Sequence, residues 1–316
     1  MALLKRFSDA LRSVFGAHAP ATPSAAARAA RLERQIRLLV DSLPALPVTA
    51  ARALALMNDP DVALADIADL IQEDPALATG LLRVANSALF AGGAAALRLD
   101  QAVVRLGLWM CKDLVTAIGM RRMLHGRAAA TEADCHALWH HAFVTASICA
   151  QLNRANRLGF QGEEYSAGML HDLGRLLIAL ADPECLALAG VMSFQEDADT
   201  PQRERAAIGA DHCALGGWFA ELSNLPPALV EVIRRHHTPQ PAAGPSRLVA
   251  LVTAADHMAN HLQLGRSVES YDPATNAGLA TLCAGWSAGR TEHLRTSLPA
   301  IMEGAHAAAE TELSAP

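Results

Sequence analysis

The chain has 316 residues, a formal net charge of −6, and 52% hydrophobic but only 4% aromatic residues. That length holds one large domain or two modest ones, with ample apolar material for a core. The acidic balance excludes broad electrostatic binding to nucleic acid, which needs a basic face.

At the N-terminus, Leu3, Leu4, Phe7, Leu11, Val14 and Phe15 fall at helical spacing, with Asp9 and Arg12 between them. There is no continuous apolar run of the kind a signal peptide needs. The segment reads as a short amphipathic helix that docks on its own domain or rests on a membrane surface. No stretch reaches the ~18 uninterrupted apolar residues of a transmembrane helix. Ala17–Ala30, rich in alanine and proline, reads as a linker. Residues 1–30 are therefore taken as an amphipathic helix and linker.

Helical periodicity begins near Arg31 and persists. Asp59-Pro60-Asp61 ends one helix, and the next places Leu64, Ile67, Ala68 and Ile71 on one face. Asp74-Pro75 is a helix start, with aspartate as N-cap and proline in the first helical position. Leu77, Leu81, Leu82 and Val84 follow. Gly126–Thr131 separates an N-terminal lobe (31–126) from a histidine-rich lobe (127–265). Pro226-Pro227 opens a helix over Ala228–His237. Beyond Arg266 the text turns polar, then helical over Leu294–Glu312, and 266–316 reads as a peripheral helical extension. No alternating run of β-branched residues argues for a sheet, so the expected fold is an all-α helical bundle of two lobes. The six cysteines lie apart with no C-x-x-C pair and read as reduced thiols of a cytoplasmic protein.

The chemistry-bearing residues gather in the histidine-rich lobe: His140-His141, His171-Asp172, Asp211-His212, His236-His237 and Asp256. Neighbouring His and Asp on a helix point about 100° apart, so they straddle one metal or serve two at a helix-lined cavity. Imidazoles and carboxylates suit Fe, Mn, Zn or Ni, as one ion or a pair. Taken singly, each of these residues is also at home as a satisfied core group, and only the ordered set is specific. His257 and His261, spaced i, i+4, have metal-capable spacing but an equally good home on an outer face. His18, His125, His293 and His306 read as surface residues. There is no G-x-S-x-G elbow, P-loop or G-x-G-x-x-G turn.

The segments Leu43-Pro44-Ala45-Leu46-Pro47, Ile71-x-x-Asp74-Pro75-Ala76-Leu77, Leu81-Leu82-Arg83-Val84-Ala85-Asn86-Ser87 and Gln101-Ala102-Val103-Val104-Arg105-Leu106-Gly107 resemble the HDOD family. So do Trp139-x-His141, Gly168-x-Leu170-His171-Asp172-Leu173-Gly174, Gly209-x-Asp211-His212 and Ile233-x-x-His236-His237. The likeness runs from about Ser42 to His261. It implies an all-helical fold related to the HD and HD-GYP phosphohydrolases, and a role in bacterial signal transduction exercised through partner proteins. By position it makes His141, His171, Asp172, His212, His236, His237 and Asp256 metal ligands. His141, His171, Asp172 and Asp256 would serve one ion, and His212, His236 and His237 a second. Two departures count against cyclic-di-GMP hydrolysis. Thr238-Pro239 follows the double histidine where HD-GYP proteins carry glutamate and G-Y-P, and Arg175 stands where lysine is usual. Arg175 remains a candidate phosphate contact for a nucleotide-like ligand. Arg83, Asn86 and Ser87 are candidates for partner binding. For Asn86 and Ser87 the alternative role is to satisfy backbone groups where that helix meets the glycine-rich loop.

Overall fold

The computed structural model describes residues 23–41, 48–57, 61–87, 94–124, 132–223, 225–239 and 247–313, with 11, 13–15, 59 and 90 besides. Among them every regular element is a helix, as the periodicity predicts. None is long and apolar enough to cross a membrane. The Leu43–Pro47 motif, the glycines at 92–93, the Gly126–Thr131 break and most of Met1–Phe15 lie outside the described residues. Of that N-terminal segment, Leu11 is fully buried in the core and Val14 and Phe15 pack on it.

In chain order the helices are α1 (Pro23–Asp41), α2 (Val48–Leu56), α3 (Leu64–Ile71), α4 (Pro75–Asn86), α5 (Leu99–Leu124), α6 (Glu132–Asn156), α7 (Glu163–Leu170), α8 (Leu173–Ala181), α9 (Pro183–Leu188), α10 (Thr200–Ile208), α11 (His212–Leu222), α12 (Pro227–Arg235), α13 (Arg247–Gln263), α14 (Ala277–Leu282) and α15 (Ala288–Leu313). Helix starts follow from local chemistry. Asp74 Oδ1 accepts the amides of Ala76 and Leu77 at 3.0 and 3.3 Å and sets Pro75 in the first turn of α4. Asp182-Pro183 repeats the device for α9, accepting from Glu184 and Cys185 at 3.1 and 3.3 Å. Asp211 caps α11 through the Ala214 amide at 2.8 Å. Helix α12 stops at Arg235, two residues short of the expected end, and His236-His237 form the turn beyond it.

Two segments differ from expectation. The linker gives way to helix at Pro23, because alanine has the best helix propensity and proline is favoured at a helix start. Although it overlaps the start of the expected N-terminal lobe, α1 packs on α8 and α10 in the histidine-rich part of the chain. Arg31 Nε meets Asp182 Oδ2 at 2.6 Å, and the Arg28 guanidinium donates to the Ala207 carbonyl at 3.0 Å. Gly209 ends α10 in the left-handed region (φ 79°), and a Cβ there would lie 2.3 Å from Ala29 Cβ. The C-terminal extension is not peripheral. Helix α15 lies along α6 and buries Leu294, Leu298, Ile301, Met302, Ala305 and Ala309, a single helical stripe. One apolar core runs from Leu11 to Ala309 and takes in this last helix. All six cysteines are free thiols, four of them buried.

Candidate metal centre

The histidine-rich helices converge on one buried point. His141 comes from the middle of α6 and Asp256 from the middle of α13. His171 and Asp172 occupy the turn between α7 and α8, His212 opens α11, and His236-His237 close α12. All seven are buried. Gly174 makes this convergence possible: a Cβ there would sit 1.9 Å from the His212 carbonyl oxygen, so only a bare backbone lets α8 and α11 meet.

Two clusters share one aspartate. In the first, His141 Nε2 lies 3.3 Å from His171 Nε2 and 3.1 Å from Asp256 Oδ1, and His171 Nε2 lies 3.5 Å from Asp172 Oδ2. In the second, His212 Nε2 lies 3.2 Å from His236 Nε2 and 3.1 Å from His237 Nε2. Asp172 Oδ1 stands 3.4 Å from His212 Nε2 and 3.5 Å from His236 Nε2. Asp172 thus presents one oxygen to each cluster.

Backbone and side-chain acceptors fix the ring orientations. His171 Nδ1 donates to the Gly168 carbonyl at 2.7 Å, and His236 Nδ1 to that of Ile233 at 3.1 Å. His212 Nδ1 faces Glu204 Oε2 at 2.6 Å, and the same oxygen accepts the His212 amide. On His171, His212 and His236, where Nδ1 is committed in this way, the Nε2 lone pair of the neutral ring points into the centre, as metal-ligating imidazoles require. Asn260 donates to Asp256 Oδ1 at 2.8 Å. Neither buried Asp172 oxygen completes a hydrogen bond among the described residues, although the Arg175 Nε stands 3.3 Å from Oδ1. A carboxylate left so, amid converging imidazole lone pairs, fits a cation better than it fits a structural role.

Charge leads to the same conclusion. Asp172, Asp256, Glu196 and Glu204 crowd a site whose one permanent cation among the described residues is Arg175. Burial disfavours every one of these charges, yet Arg175 and the imidazoles hold Asp172 well below the usual carboxylate range. Burial likewise pulls His171 down, but Asp172 and Asp256 outweigh it and push its pKa up to about 9. Burial together with the neighbouring His237 lowers His236 to about 4. A field that holds a proton on His171 also attracts a metal cation.

Arg175 takes a different place from the phosphate contact expected of it. It is 1% exposed. Its Nε lies 3.3 Å from Asp172 Oδ1, one terminal nitrogen is bonded to Glu196 and the other faces Glu204 at 3.9 Å. The guanidinium holds three carboxylates together. Asn86 is likewise engaged locally: its amide donates to the Ala96 carbonyl at 2.8 Å and accepts the Ala96 amide at 2.7 Å, while Ser87 Oγ donates to the Val84 carbonyl. Both satisfy backbone, the alternative role that the sequence offered. Arg83, the third partner-binding candidate, is half-buried on α4.

A cavity of about 260 Å³ opens beside the centre, bounded by Phe194, Glu196, His237, Asp256, His261 and Arg266 among others. His257 and His261 face the segment that follows α13: His257 Nδ1 lies 3.1 Å from the Tyr271 hydroxyl, and His261 Nε2 lies 2.9 Å from the Ser267 carbonyl. Sequence reasoning missed Glu196, Glu204, Asn260 and Cys213. Cys213 directly follows His212 and Asn260 lies one helical turn after Asp256, so adjacency could have marked them, whereas only the fold brings Glu196 and Glu204 to the histidines.

A sequence profile of the HDOD domain matches residues 43–239. The chain belongs to the HDOD family. An uncharacterized protein of Treponema pallidum (strain Nichols) is 32% identical over 212 residues, covering 66% of this chain and 40% of its own length, so the chain spans well under half of that relative. Two crystal structures share the fold. A Geobacter sulfurreducens HDOD domain protein of unknown function is 22% identical with a TM-score of 0.65, covering 89% of this chain and 98% of its own. A Shewanella amazonensis protein with the provisional name phosphohydrolase is 26% identical with a TM-score of 0.64, covering 86% and 97%.

Proposed function

We propose that this HDOD protein is a signalling module whose histidine-rich half holds a pair of divalent transition-metal ions and whose output is binding, not turnover. The observation that carries the reading is Asp172, whose two oxygens complete no hydrogen bond among the described residues and each face a separate imidazole cluster. His141, His171 and Asp256 would hold one ion with Asp172, and His212, His236 and His237 the other. Such a pair supplies charge neutralisation and Lewis acidity toward an anionic or phosphoryl group. Glu204 orients His212, Asn260 orients Asp256, and Arg175 keeps Asp172, Glu196 and Glu204 in place. Binding without turnover is favoured because Arg175, the cation buried at the centre, is committed to carboxylates. The cavity beside the ions would take a small anionic, nucleotide-like ligand, and signalling proteins would read the result.

A second reading is a metal-dependent phosphohydrolase. It is favoured by the cavity reaching His236, His237 and Asp256, and by the name of the Shewanella relative. One experiment addresses both. The parent protein and the His171→Ala/Asp172→Ala variant are purified without chelator and assayed for metal, then for hydrolysis of p-nitrophenyl and bis-p-nitrophenyl phosphate. The proposal expects near-stoichiometric metal in the parent, lost in the variant, with no turnover in either. Metal-dependent turnover by the parent would replace the proposal with the second reading. Absence of metal after loading would overturn both.

A further inference from the structure

The second cluster contains a donor that the family resemblance does not supply. Cys213 Sγ lies 3.3 Å from His212 Nε2, the atom that is 3.2 and 3.1 Å from the Nε2 atoms of His236 and His237. The four donor atoms all lie within 4.8 Å of one another, and all four residues are buried. With zinc–nitrogen bonds near 2.0–2.1 Å and zinc–sulfur near 2.3 Å, a tetrahedral site has nitrogen–nitrogen edges of about 3.4 Å and nitrogen–sulfur edges of about 3.6 Å. The spacing around His212 is within a few tenths of an ångström of that. A cysteine serving only as a small apolar residue would turn its sulfur to aliphatic neighbours. Here the sulfur faces the lone-pair atom of an imidazole whose other nitrogen is committed to Glu204. The backbone under it is fixed, since Asp211 caps the first turn of α11 and Gly174 brings α8 against the His212 carbonyl.

We infer that Cys213 is a thiolate ligand of the second metal position, beside His212, His236 and His237, and that it makes the two positions of the centre chemically unequal. The inference rests on the metal-centre reading above. On binding, the S–H bond breaks, the sulfur electron pair goes to the metal, and the proton leaves to the buffer. The first position then has two imidazoles and two carboxylates, a set suited to manganese or iron. The second has three imidazoles and a soft thiolate beside the Asp172 oxygen that faces it, a set suited to zinc or ferrous iron.

Cobalt(II) is the probe. The full chain is stripped with chelator and titrated with cobalt, as parent, Cys213→Ser and Cys213→Ala, the last removing the sulfur without adding a hydroxyl. The parent is expected to show a thiolate-to-cobalt charge-transfer band in the near ultraviolet that accompanies one of two bound equivalents. Both variants should lack the band, keep the other equivalent, and bind zinc at the altered position about 10–100-fold more weakly. Cobalt bound by the parent without the band, or the same band in the variants, would overturn the inference while leaving the metal centre standing. Failure of the parent to bind cobalt at all would overturn the metal-centre reading and this inference with it.

Discussion

Arg175→Met is the most informative single substitution, because it separates a cation that holds the site together from one that meets a ligand. The guanidinium is buried against Asp172 at 3.3 Å and Glu204 at 3.9 Å, and is bonded to Glu196. At an effective dielectric of 20, a pair near 4 Å is worth about 4 kcal/mol before desolvation. Methionine fills much of the volume but leaves three buried carboxylates without their counter-charge. Breaking a buried pair in this way costs about 3–5 kcal/mol. In a chain of this size each kcal/mol is about 2–4 °C in melting temperature, so Arg175→Met should melt roughly 6–20 °C below the parent. The assay is thermal unfolding followed by far-ultraviolet circular dichroism on chelator-treated protein, where no ion masks the loss. Arg175→Lys should recover part of the difference, since an ammonium keeps the charge but not the three-way fork. A variant that melts with the parent yet loses phosphate binding would refute this reasoning and restore Arg175 as a phosphate contact.

Two further outcomes follow from the same geometry. Gly174→Ala forces a Cβ to within 1.9 Å of the His212 carbonyl oxygen unless α8 and α11 part. Its metal content should fall together with its melting temperature, and parent-like values for both would remove the glycine from the argument. The pH profile of the metal-free protein is also set. His171 titrates at about 9 in the fold against 6.5 unfolded, so its contribution of about 3 kcal/mol is complete below pH 6.5 and is lost as pH rises toward 9. His236 titrates at about 4, so its contribution is complete above pH 6.5 and is lost as pH falls toward 4. Urea unfolding of chelator-treated protein should therefore show greatest stability near pH 6.5, and stability still climbing between pH 7 and 9 would contradict it.

The parts of the molecule legible in its sequence were those that short-range chemistry decides. Asp74-Pro75 starts a helix because a carboxylate and a fixed φ act within three residues. The seven ligand candidates could be grouped by resemblance, and the fold brings all of them to one point. Illegible were contacts made at a distance. Glu196 and Glu204 lie 21 and 29 residues beyond Arg175, with nothing local to mark them as its partners. Pro23–Ala30 looked like a linker because proline and alanine serve both linkers and helix starts, and only packing on α8 and α10 decides between them. The last helix was placed outside the domain because its polar text conceals a narrow apolar stripe that fits α6.

The donors of the centre come from α6, the α7–α8 turn, α11, the end of α12, and α13, and no short stretch of chain carries a complete set. Neither half of the centre exists until those helices have docked. An ion that binds only the docked arrangement drags the folding equilibrium with it, by about 2.7 kcal/mol at a hundred times its dissociation constant. Metal supply would then govern how many copies of this chain persist in a cell as well as how many are loaded. A starved cell would hold less of the protein, and abundance itself would carry the signal.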